Sequence, residues 1–266
     1  MPIVDVHVHV YPDKIAERAV SSIGRFYGLE MGLPDGSVAR MLEEERDAGV
    51  THSVIHSVAT KASNVESIND FIAATCREND SLTGFMTLHQ DYPDPLAEVE
   101  RACAMGLKGI KLHPDTQCVN MDDPRLMHIY EIAEQKDLPV LIHCGDYRYD
   151  YSHPHRLVTV LHAFPRLRVD AAHFGGWSVF DYALEFLENE NCFLDMSSSQ
   201  HWLGPRRTRE LCEAYGPDRI LFGSDFPMWT PGSELSRFRS LGFSREDLDK
   251  MLWHNAERFL GMEISN

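Results

Sequence analysis

The stretch VDVHVHV (4–10) sets two histidines, His7 and His9, among valines. β-branched runs of this kind favour strands, and their side chains alternate between two faces. Simple alternation turns Asp5, His7 and His9 one way and Val4, Val6, Val8 and Val10 the other. Neighbours on one face of a strand stand about 6.5–7 Å apart, near enough for two imidazoles to converge on one ion. A single histidine on a buried strand is more often a hydrogen-bonded core residue. Whether this pair does more depends on what the rest of the chain brings to it.

Working outward, β-like runs recur at 3–8, 52–58, 82–89, 107–113, 139–144, 167–173, 191–197 and 219–225. Helix-like runs lie at 37–49, 64–79, 94–106, 123–137, 154–164, 177–189, 205–216 and 244–261. Ser37 and Asn64 stand where N-caps belong, and Gly49 and Gly106 stand where helices stop. Strands alternating with helices imply parallel pairing through right-handed crossovers. No GxGxxG follows the first strand, and the strand count is eight. The expectation is therefore a single α/β domain over 1–266, a closed (β/α)8 TIM barrel.

Such a barrel gathers its chemistry at the C-terminal ends of its strands. His7, His9, His56, His89, Lys111, His113, His143, His173 and Asp225 all fall at or near those ends. Core histidines have no reason to collect at one end of successive strands, so the pattern indicates a metal or catalytic site. Imidazoles with a carboxylate form a nitrogen-and-oxygen shell. It suits zinc best, with manganese or iron as the other candidates.

Composition narrows the partners. The chain has 266 residues, 25 basic and 41 acidic, a formal net charge of −16. Phosphate binding needs a positive field, so neither nucleic acid nor an anionic membrane is an expected partner. No apolar run reaches about 18 residues, and no basic segment followed by an apolar one opens the chain, so neither a membrane span nor a secretory signal is expected. The six cysteines are scattered, with no CxxC pair, which fits a reduced, cytoplasmic protein. A homo-oligomer is compatible with the sequence but not specified by it.

HVH (7–9), GIKLHP (109–114), LIHCGD (141–146), AHFGGW (172–177) and FGSDFP (222–227), in this order, resemble the amidohydrolase superfamily. The nearest likeness is to the amidohydrolase-related branch, which also contains metal-dependent aromatic-acid decarboxylases. The resemblance implies one divalent metal held by His7, His9, His143 and Asp225. It also implies that His173 meets substrate or moves protons, and that Asp225 doubles as a proton acceptor from the attacking water.

Some superfamily members carboxylate a fourth-strand lysine to bridge two metals. In the branch resembled here one metal is usual, so Lys111 is expected to remain a cation near the substrate. His113 precedes Pro114, which favours an extended exit from the strand; its ring is expected to line the pocket or support it. Arg148, in the aromatic loop DYRYDYSHPHRL (146–157), is a candidate to hold a substrate carboxylate by a forked pair. His56 and His89 are weaker candidates, and Asp5 is a candidate to orient a ligand.

The leading functional expectation is hydrolysis of an amide, ester or lactone bond in a small anionic, carboxylate-bearing substrate, using water activated by the metal. The alternative is non-oxidative decarboxylation of a small aromatic or unsaturated acid by the same shell. A barrel that binds a ligand without catalysis is the third reading, disfavoured because every expected ligand is intact.

Overall fold

The computed structural model describes residues 2–264. Eight short parallel strands form the inner wall: β1 (Val4–His9), β2 (His52–His56), β3 (Leu82–Thr87), β4 (Gly109–Leu112), β5 (Val140–Ile142), β6 (Val169–Ala171), β7 (Leu194–Asp195) and β8 (Ile220–Leu221). The first six pair in sequence order and the last two pair with each other. Two seams close the ring. Asp170 bridges Phe193 between β6 and β7, while the Val6 N–H donates to Phe222 O at 3.0 Å between β1 and β8. The expected TIM barrel is present.

The helices wrap this wall. α1 (Ala16–Tyr27) and α2 (Val38–Ala48) follow β1, α3 (Val65–Arg77) follows β2 and α4 (Pro95–Ala104) follows β3. α5 (Pro114–Gln117) and α6 (Pro124–Gln135) follow β4, α7 (Pro154–Ala163) follows β5, α8 (Phe180–Leu187) follows β6 and α9 (Gln200–Tyr215) follows β7. α10 (Pro231–Arg239), α11 (Arg245–Asp249) and α12 (Asn255–Leu260) complete the chain. None of these helices is long and apolar enough to cross a membrane.

Two apolar layers hold the barrel. Outward side chains such as Val8, Ile55, Met86, Ile110 and Val140 pack beneath the helices. Val4, Val6, Val54, Phe85, Leu141 and Leu221 meet inside and are closed off by Ala256, Phe259 and Leu260 of α12. Burying a side chain of this size contributes about 1.5–3 kcal/mol. With the floor filled, the cavity that gathers the strand-end side chains lies at the opposite end, where the strands finish.

Several local expectations need correction. The register of β1 shifts against β2: Asp5 pairs with Ser53, but Val8 pairs with Ile55, so three steps on β1 match two on β2. This bulge breaks simple alternation. It turns Asp5 outward with Val8 while His7 and His9 face inward. Asn64 does not cap α3; its backbone is already helical, and a 3₁₀ turn at Ala62–Asn64 leads into the helix. Ser37 does cap α2, accepting from the Arg40 N–H, and Gly49 ends that helix at φ 78°.

Three helices escape the sequence pattern. α1 buries Ala16, Val20 and Gly24 and lies in the stretch between the first and second strands where no helix was expected. α5 is four residues long, and α10 begins at a proline after a proline-rich turn.

Candidate active site

The strand ends surround a cavity of about 340 Å³ lined on its polar side by His7, His9, Lys111, His113, His143, His173 and Asp225. Tyr11, Ile23, Phe26, Tyr27, Met31 and Met228 form a largely apolar wall, to which α1 contributes.

His7 and His9 converge as their strand geometry suggests. Their Nε2 atoms stand 3.2 Å apart. Asp225 Oδ1 lies 3.5 Å from the first and 3.4 Å from the second. Ligands about 2.0–2.1 Å from a tetrahedral zinc stand about 3.3 Å from one another. The three donors therefore match one face of such a site in both chemistry and spacing.

Asp225 is held in the left-handed region, at φ 57°, where a non-glycine residue is uncommon. Its N–H donates to His7 O at 2.8 Å, its carbonyl accepts from Met228, and its Oδ2 accepts from Ser198. Trp229 Nε1 in turn donates to Ser198 Oγ at 2.9 Å.

A second pair of imidazoles follows from glycine packing. Gly145, at φ 80°, approaches the Gly176 backbone so closely that an added Cβ would sit 2.6 Å from it. The Trp177 N–H donates to Cys144 O at 2.8 Å. These contacts draw the loops after β5 and β6 together and bring His143 Nδ1 within 3.1 Å of His173 Nε2. The outer nitrogen of each ring faces a carbonyl, which can only accept: Gly145 O, 3.0 Å from His143 Nε2, and Ser197 O, 3.0 Å from His173 Nδ1. Each outer nitrogen therefore carries a proton. The two inner lone pairs face each other and require a shared proton or a cation between them.

Burial controls the electrostatics. Burial first, then the Lys111 charge, holds His7, His9 and His113 well below the usual imidazole range. Burial and the neighbouring His113 do the same to His143. Neutral imidazoles are the form that binds metal. Burial raises the Asp225 carboxyl, against the opposing effects of His173, the Ser198 hydrogen bond and Lys111. Burial lowers Lys111 to about 8, although Asp225 and Asp195 favour its charge. Its Nζ lies 2.8 Å from His7 Nε2.

The remaining candidates divide. His113 lines the cavity, stacks on His143 with centroids 3.9 Å apart, and meets Tyr27 Oη at 2.7 Å through Nε2. Arg148 is not among the cavity-lining residues. Its fork binds Asp146 at 2.9 and 2.6 Å, its remaining arm donates to Phe26 O, and its guanidinium lies 4.9 Å from the Phe26 ring and 5.1 Å from the Tyr149 ring. The forked pair it forms is internal.

His89 accepts the Asp91 N–H and does not line the cavity. His56 is buried 4.5 Å from the His9 ring, and neither of its nitrogens has a hydrogen-bond partner. Asp5, from its outward face, still reaches the site through the backbone: Oδ1 accepts the N–H groups of His7 and Ser224.

Sequence reasoning passed over Asp195, Tyr27 and Asp115. Asp195 Oδ2 lies 2.8 Å from His7 Nδ1, and Asp115 Oδ2 accepts from Ser152 Oγ at 2.6 Å and lies 3.4 Å from His143 Nε2. The available signal for Asp195 was FLDMSSS (193–199), an aspartate in an apolar strand followed by hydroxyls. That resembles the signal in VDVHVHV, but without a histidine to mark it.

Eight parallel strands with imidazoles and a carboxylate at their C-terminal ends define a TIM-barrel enzyme class with a metal-type site. The family model described as Amidohydrolase matches residues 4–262, and the chain belongs to that family. Solved structures agree on the fold. An uncharacterised TIM-barrel protein from Bordetella bronchiseptica is 21% identical, with a TM-score of 0.76 and coverage of 98% of this chain and 99% of that one. A Pseudomonas putida protein assigned as a 2-pyrone-4,6-dicarboxylic acid hydrolase is 18% identical, with a TM-score of 0.72 and 99% of both chains covered. A dihydroxybenzoic acid decarboxylase from Polaromonas, solved with manganese and the inhibitor 2-nitroresorcinol, is 15% identical, with a TM-score of 0.75 and coverage of 98% and 97%.

Proposed function

We propose that this chain is a metal-dependent hydrolase of an amide, ester or lactone bond in a small substrate carrying one carboxylate. The observation that carries the reading is the triangle of His7 Nε2, His9 Nε2 and Asp225 Oδ1, with sides of 3.2, 3.4 and 3.5 Å. His143 is the fourth proposed ligand, zinc the proposed ion, and manganese or iron the alternatives. When bound, a divalent ion of this kind polarises a substrate oxygen and makes water acidic enough to react near neutrality.

The chain's own groups do the rest. Asp225 keeps Oδ1 toward the imidazoles because Ser198 holds Oδ2. A carboxyl raised by burial is a competent proton acceptor. His173 carries one proton on Nδ1 against Ser197 O, and its Nε2, 3.1 Å from His143 Nδ1, is the nitrogen that can hold or deliver a second. Among the described residues, Lys111 is the one lysine on the cavity lining, which contains no arginine and also presents Asp115. That balance favours a single substrate carboxylate over two. Tyr27 and His113 supply further polar contacts, and the wall containing Phe26, Ile23 and Met31 suits a flat apolar body.

The same wall supports a second reading, decarboxylation of an aromatic or unsaturated monoacid, with His173 protonating carbon as carbon dioxide leaves. A panel of lactones, esters, amides and aromatic acids, assayed for hydrolysis and for carbon dioxide release with metal-loaded and chelated protein, separates them. Metal-dependent hydrolysis without gas release supports the first reading. Gas release from an aromatic acid without hydrolysis overturns it in favour of the second.

A further inference from the structure

Asp195 ends β7 fully buried, and its two carboxylate oxygens are committed in different directions. Oδ1 accepts the backbone N–H of Ser197 at 2.9 Å, the backbone N–H of His173 at 3.3 Å, and the Ser197 hydroxyl. Oδ2 lies 2.8 Å from His7 Nδ1. An ionised carboxylate only accepts, so His7 carries its proton on Nδ1 and presents a bare lone pair at Nε2. A second contact agrees: Lys111 Nζ lies 2.8 Å from that same Nε2, and an ammonium, which has donors and no acceptor, requires a lone pair there.

We infer that Asp195 is a positioning residue which sets the tautomer of His7, and through it the ability of His7 Nε2 to ligate a metal. The metal half of this inference rests on the function proposed above, whereas the tautomer half does not. The arrangement also ties the two working histidines together. Ser197 Oγ, which donates to Asp195, lies 2.9 Å from His173 Nδ1 and 3.2 Å from His7 Nδ1. One buried carboxylate thus orients both the ion's imidazole and, through Ser197, the proton-carrying one. A hydrogen-bond partner on the far nitrogen of a ligating histidine typically accounts for about 10–100-fold in metal affinity.

The decisive variant is Asp195→Asn. Two backbone N–H groups point at the Oδ1 position, so the amide oxygen stays there and the NH₂ group faces His7 Nδ1. His7 must then accept at Nδ1 and move its proton to Nε2, which blocks ligation while preserving shape.

The test is ¹⁵N imidazole NMR on metal-free protein, paired with zinc competition against a chromophoric chelator. The expected result is an Nδ1–H signal for His7 in the unsubstituted protein, an Nε2–H signal in the variant, unchanged far-UV circular dichroism, and zinc affinity lower by about 10–100-fold. An Nε2–H signal for His7 in the unsubstituted protein overturns the inference even if the variant fails to fold. So does zinc affinity within twofold of the unsubstituted protein in a folded variant. Should the unsubstituted protein bind no zinc, the metal reading fails, while the tautomer result still decides the role of Asp195.

Discussion

Lys111 Nζ lies 2.8 Å from His7 Nε2, on the side of the ring that faces His9 and Asp225. A buried amine beside a metal-type triangle has two uses: cation for a substrate anion, or bridge between two ions. Lys111→Met separates them. With Lys111 as the substrate's cation, metal content stays at one per chain and kcat/KM on a carboxylate substrate falls by an amount worth about 2–5 kcal/mol, as for a broken desolvated charge pair. Kinetics with elemental analysis on the same sample is the measurement. A drop from two ions to one would identify a carboxylated bridging lysine instead.

The paired change His7→Ala with His9→Ala removes two of the three corners of the triangle and leaves only Asp225. Purified double variant should lose most of its bound metal by elemental analysis. Metal content equal to that of the unsubstituted protein would move the ion to another set of donors, of which His113, Asp115 and His143 are the nearest alternative cluster.

His173→Asn keeps a polar group against Ser197 but removes the nitrogen that faces His143. Turnover should fall by about 10²–10⁴, the usual range for a lost acid or base, with metal content retained. A folded variant that loses metal as fully as the His7 and His9 double variant would make His173 a ligand.

Glu234 on α10 gives a pH-dependent stability. It is buried against Gln200, whose Nε2 donates to Oε2 at 3.0 Å, and burial pushes its carboxyl from 4.5 up to about 7. Between those values the folded chain holds a proton that the unfolded chain has lost. Folding stability from this group therefore falls as pH rises from about 4.5 to 7, by an amount on the order of 3 kcal/mol, and is level above that. Glu234→Gln should abolish this slope. Urea unfolding at both ends of the window should find the variant gaining relative to the unsubstituted protein at the higher pH. Parallel pH profiles would refute the assignment.

The barrel was legible in the sequence because its signals are local. Strand alternation, helix stops and turn glycines each act within a few residues, and eight repeats of strand and helix leave little choice of topology. His7, His9, Lys111, His143, His173 and Asp225 were legible for the same reason, since each falls where a barrel strand ends. Their partners were not. Asp195 meets His7 across 188 positions of chain, and Ser224 meets Asp5 across 219. No local period encodes such pairs; closure of the ring creates them.

The bulge in β1 shows the limit most clearly. Period-two alternation put Asp5 beside His7 and His9, but one extra residue against β2 turned it to the other face, where it grips the site through backbone N–H groups. Arg148 shows it again. The sequence offers a cation on a loop near the mouth, and only the folded loop supplies Asp146 and the Phe26 carbonyl that occupy its donors. By itself, then, the sequence determined the scaffold and the set of metal-type side chains, because periodicity and strand ends are properties of short segments. The tertiary structure decided which nitrogen of each histidine is free, which cation stays available and which carboxylate orients which ring. Those depend on hydrogen bonds between segments that meet only when the barrel closes.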